Sequence, residues 1–104
     1  MFEPDVLVPE QFFHTLRTHL ASQGEKRLMA AVLEDAFHCI QAYILGTRQQ
    51  ERRLYRDALE WFDSDDDFWP FAFVNICHAL DFDPGYWRGG VHQWIENYRA
   101  QKSA

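Results

Sequence analysis

Few residues in this chain have the type and spacing to do chemistry. His38-Cys39 and Cys77-His78 supply two imidazoles and two thiols, a set that zinc commonly takes. Zinc ligand pairs are normally separated by a few residues, whereas each pair here is adjacent. Adjacent helical positions point about 100° apart, so the two members of a pair do not converge on one ion. The expectation is two core cysteines and no metal. Asp35 and His38 form one D-x-x-H, with Glu34 four residues before His38. A di-iron bundle needs paired E-x-x-H motifs and further glutamates, and only one partial copy is present. Asp63, Asp65 and Asp67 alternate as calcium ligands do, but Phe68 stands where the calcium loop requires glycine. Ser22, Thr47 and Ser64 fall at expected caps and loops. Neither cysteine has an activating neighbourhood, and Gly89-Gly90 is not followed by the residues of a phosphate loop. No catalytic residue and no cofactor is expected, so the chain reads as a non-enzyme.

The elements that hold these residues follow from composition and periodicity. With 104 residues, 47% apolar and 16% aromatic, the chain suits one domain with its own core. Its net charge of -6 argues against binding nucleic acid by bulk charge. A local basic face remains possible, since eight of the ten bases are arginine. No apolar run is long enough for a membrane span. The start, MFEPDVLVPE, lacks the basic region of a secretory signal. Two cysteines are not a disulfide framework. The expected compartment is cytoplasmic, with both thiols reduced.

Residues 1–8 read as an extended segment and 9–62 as a helical bundle. Pro9 opens a helix with Phe12, Phe13, Leu16 and Leu20 on one face. A second helix, 25–45, carries a wide apolar arc of Leu28, Met29, Val32, Leu33, Ala36, Phe37, Cys39, Ile40, Tyr43 and Ile44. Gly46 is placed to end it in a left-handed conformation. Thr47 and Gln50 have capping-box spacing for a third helix, with Leu54, Ala58, Trp61 and Phe62 inward. Arg48, Arg52 and Arg56 share another face, and Arg56 can pair with Glu60. After an acidic loop at 63–69, Pro70 reads as the start of a fourth helix. Asp83-Pro84 caps and opens the fifth, with Trp87, Val91, Trp94, Ile95 and Tyr98 inward. No strand is expected. The fold class is all-α, one compact domain of about five helices.

Residues 71–99 have the shape of two helices around a tight turn, with Cys77 and Trp87 packed on either side. This segment resembles helix-turn-helix regulators. Asp81 stands where glycine is frequent, and Asp tolerates the left-handed conformation that the turn needs. The resemblance implies DNA contact through Arg88, His92, Gln93 and Arg99, because arginine reads guanine edges and glutamine reads adenine. The stretches 25–43 and 73–90 also resemble a family of small, uncharacterised bacterial helical proteins. That likeness implies a bacterial, cytoplasmic protein and carries no residue-level function.

Aromatic residues crowd the acidic loop: Trp61, Phe62, Phe68, Trp69 and Phe71. A domain this small has limited room for four tryptophans. Trp, Tyr and Arg are the residues that most often anchor interfaces. Arg48, Arg52, Arg56, Trp61, Phe68 and Trp69 are therefore the candidates for a protein partner or a homo-oligomer. Two readings stand: a regulatory, transcription-associated protein using 71–99 on DNA, or an acidic adaptor with no DNA contact.

Overall fold

Proline lacks the amide hydrogen that a helix's first turn leaves unpaired, and helix α1 (Pro9–His19) begins on one. A computed structural model describes residues 9–103, so the expected extended segment at 1–8 lies outside the described residues. Phe12, Phe13, Leu16 and Leu20 are all buried. Helix α2 (Gly24–Tyr43) runs alongside, joined to α1 by an ion pair between Arg17 and Glu34. Its inward line is Met29, Ala30, Leu33, Phe37, Ile40 and then Ile44. Leu28 was expected in that arc but is 53% exposed. One residue before Met29, it is turned about 100° out of the line.

The link to α3 (Gln49–Asp63) corrects two expectations. Gly46 has no positive φ. Glycine is required there for space instead: a Cβ would lie 2.7 Å from the Cβ of Glu51. The cap is also shifted by one residue, to Arg48, whose N–H donates to Glu51 Oε1 at 3.1 Å. An arginine side chain has no acceptor, so only this half of a capping box operates. A carboxylate near the positive end of a helix is a stronger acceptor than the Gln50 amide. Ala58 and Phe62 are buried and Leu54 only partly.

Pro70 does not open a helix. It sits second in the turn Trp69–Ala72, where Ala72 N–H donates to Trp69 O at 2.9 Å. The fixed φ of proline suits that position equally well. Helix α4 (Phe73–Ala79) follows and buries Phe73, Ile76 and Cys77. It ends as the sequence implies, with Asp81 left-handed at φ 60°. Phe82 N–H donates to Cys77 O at 2.7 Å and Asp81 N–H to His78 O at 3.2 Å, the paired bonds of a Schellman ending. Helix α5 (Pro84–Ser103) begins at its expected cap, with Gly85 N–H donating to Asp83 Oδ1 at 3.0 Å. Trp87, Val91 and Ile95 are buried, and Trp94 and Tyr98 partly. A Cβ on Gly89 or Gly90 would meet nothing within 4 Å, so no backbone approach explains this pair.

The five helices form one all-α domain, and no strand occurs among the described residues. Two aromatic clusters fill its core. Trp87 stacks on Phe82 at 5.0 Å and touches Phe12. Phe62, Phe73 and Trp61 form the other, edge to face. Two substitutions test the turns by chemical denaturation. Asp81→Gly should raise stability by about 1 kcal/mol, because glycine adopts positive φ without strain. Gly46→Ala should lower it by about 1–3 kcal/mol, because the turn must move away from α3.

Candidate interaction surface

The last carbonyls of α3 have no partner inside the helix, and Arg88 of α5 satisfies two features of that end. Its Nε donates to Phe62 O at 2.7 Å and a terminal nitrogen to Ser64 O at 2.5 Å. The other terminal nitrogen pairs with Asp65 Oδ1 at 2.9 Å, and the guanidinium lies 5.2 Å from the Phe73 ring centre. One turn further along α5, His92 Nε2 contacts Asp63 Oδ1 at 2.8 Å. Side chains within the loop fix the rest. Asp66 N–H donates to Ser64 Oγ at 3.0 Å and Phe68 N–H to Asp66 Oδ1 at 2.9 Å. Asn75 Nδ2 donates to both Asp67 O and Trp69 O at 2.8 Å. Trp61 Nε1 donates to Phe71 O at 3.2 Å.

The outcome is a pinned loop that turns its aromatic rings outward. Phe68 is 93% exposed and Trp69 55%. Trp69 meets Phe71 edge to face at 5.9 Å. Trp61 departs from its expected place on this surface: it is half-buried against Phe62 and Phe73 and anchors the loop from inside. Arg48, Arg52 and Arg56 are exposed as expected. The Arg56–Glu60 pair is absent among the described ion pairs. Arginine before glutamate is the weaker order for an i, i+4 pair.

The four candidate DNA contacts are distributed differently from the expectation. Arg88 and His92 are engaged with the acidic loop rather than projecting from it. Gln93 donates to Asn97 Oδ1 at 3.0 Å along α5. Arg99 lies over the Tyr55 ring and reaches its hydroxyl at 3.3 Å. Cys77 and Trp87 are buried on either side of the turn between α4 and α5.

The residues weighed for metal and nucleophilic chemistry do not converge. Among the described residues, no group of three or more His, Cys, Asp and Glu is placed to hold a metal ion. Glu34, Asp35 and His38 border a shallow open depression on α2, and Glu34 is already paired with Arg17. Burial pushes the Cys39 thiol above its ordinary pKa, and the nearby Asp35 carboxylate adds to the rise. Both cysteines are unbridged. No described helix is long and apolar enough to cross a membrane.

The turns at Ser64 and Asp66 went unread, although the sequence carries a signal for them, because hydroxyls and carboxylates commonly accept from the amide two residues on. Asn75 and Arg88 carry no such signal, since their loop partners are brought near only by the fold. Arg88→Ala should cost about 2 kcal/mol of stability and speed amide exchange across 64–69. Arg88→Lys should recover only part, because an ammonium cannot reproduce the fork. Unchanged exchange in Arg88→Ala would remove the pinning role.

No family model, curated protein or solved structure matches the chain.

Proposed function

We propose that this protein is a docking module without a catalytic step, which binds protein through Phe68 and Trp69. One observation carries the reading: the most exposed large aromatics stand on a loop held in place from α3, α4 and α5. Exposed apolar rings gain about 1.5–3 kcal/mol each when buried. A loop already ordered in the free protein loses little further entropy on binding. Asp66 and Asp67 directly precede the rings, so the complementary surface is apolar with basic groups beside it.

The DNA reading has less support. The turn between α4 and α5 is also how small helical domains are commonly built. Asp63 and Asp65 lie against the first turns of α5, where a phosphate backbone would have to approach. Carboxylates there oppose the charge neutralisation that DNA binding needs.

Affinity capture from lysate of the source cell, with and without nuclease, tests this choice. The expected result is one protein partner in both samples, lost in Phe68→Ser/Trp69→Ser with helicity unchanged. Discrete nuclease-sensitive DNA fragments, retained by that variant and lost in Gln93→Ala/Arg99→Ala, would reverse it.

A further inference from the structure

Helix α3 carries its charge against its own dipole. Residues 48–56 hold four arginines and one glutamate, and residues 57–67 hold six acids and no base. A helix favours acids at its start and bases at its end. Here, apart from Glu51, the order is reversed, so helix stability does not account for it. Arg53, Arg56, Asp57 and Glu60 fall at i, i+3, i+4 and i+7 and form one stripe. All four are exposed, and none is ion-paired among the described residues. The inward side of α3, with Ala58 and Phe62, packs mainly on α2 and leaves this stripe outward.

The stripe is complementary to itself. We infer that two copies of this chain pair through antiparallel α3 helices about a two-fold axis. This rests on the docking reading of Phe68 and Trp69, and names their partner as a second copy. With the axis between Arg56 and Asp57, Arg56 faces the partner subunit's Asp57 and Arg53 faces the partner subunit's Glu60. The same register brings the Phe68 end of one copy to the Leu45 end of the other. Leu45 is 55% exposed at the start of the α2–α3 link. The 15 residues of α3 span about 22 Å, so the charged stripe forms the centre of this pairing. A two-fold axis doubles every contact and leaves no unpaired half, which closes the assembly at a dimer.

Sedimentation equilibrium of the full chain, over a range of protein and salt concentrations, provides the test. The expected result is a dimer that salt weakens. Arg53→Glu/Arg56→Glu and Asp57→Arg/Glu60→Arg should each weaken it by about tenfold or more. An equimolar mixture of the two variants should restore it, which separates lost pairing from misfolding. A wild-type monomer at every soluble concentration overturns the inference. So does a dimer indifferent to both reversals, or an assembly that grows beyond two. Those results leave the docking loop standing; that reading falls separately if Phe68→Ser/Trp69→Ser captures the same partner as the wild type.

Discussion

Helix α3 ends in carbonyl groups that the helix cannot pair, directly before a run of four aspartates in five residues. Left alone, that end would fray and the acids would repel one another. One guanidinium acts against both. Arg88 bonds the carbonyls of Phe62 and Ser64, neutralises Asp65 and rests on the Phe73 ring. Its side chain is only about a quarter exposed, so its bonds to the two carbonyls are sheltered from water, whereas Asp65 is 88% exposed and its pairing is screened. Three helices meet in that contact: α5 supplies the arginine, α3 the carbonyls and α4 the ring beneath. The path of the loop, and therefore the outward direction of Phe68 and Trp69, depends on it.

The contact also ties the two halves of the core. Phe73 belongs to the cluster with Phe62 and Trp61, while Trp87, next to Arg88 in sequence, belongs to the cluster with Phe12 and Phe82. Residues 87 and 88 point about 100° apart. One therefore enters the core while the other reaches over its rim. Packing of Trp87 sets the rotation of α5, and that rotation aims Arg88. Trp87 Nε1 has no hydrogen-bond partner among the described residues. A buried donor left unpaired costs about 1–3 kcal/mol, and the three surrounding rings offset it by apolar contact.

Local rules account for what was legible in the sequence. Pro9, Asp83-Pro84 and Asp81 each fix one or two backbone angles with no help from the rest of the chain, and all three act as read. Periodicity gave the inward faces of α1 and α5 because each has one narrow stripe. It overreached in α2, where Leu28 continues the apolar run but not the apolar direction. Pro70 and Gly46 failed because each residue type serves two purposes. Proline starts helices and also turns; glycine permits positive φ and also close approach. Only the neighbours decide, and for Gly46 the neighbour is Glu51. The candidate site was half legible. Phe68 and Trp69 stand out beside the aspartates, but Arg88 reads as a free helical charge until the fold brings α3 within its reach.

Two of the features that work against stability lie along α3 and the loop that follows it. The charges of α3 oppose the helix dipole, at a cost of about 0.3–1 kcal/mol for each charge near an end. The loop places a phenylalanine almost wholly in water. Away from α3, apolar residues line the core, a Schellman turn closes α4 and Asp83 caps α5. Conflicts between local and global preference gather where a protein does something other than fold. Here the conflict has a direction. Positive charge precedes negative charge along one exposed stripe of α3, an order that a reversed copy of the same stripe satisfies.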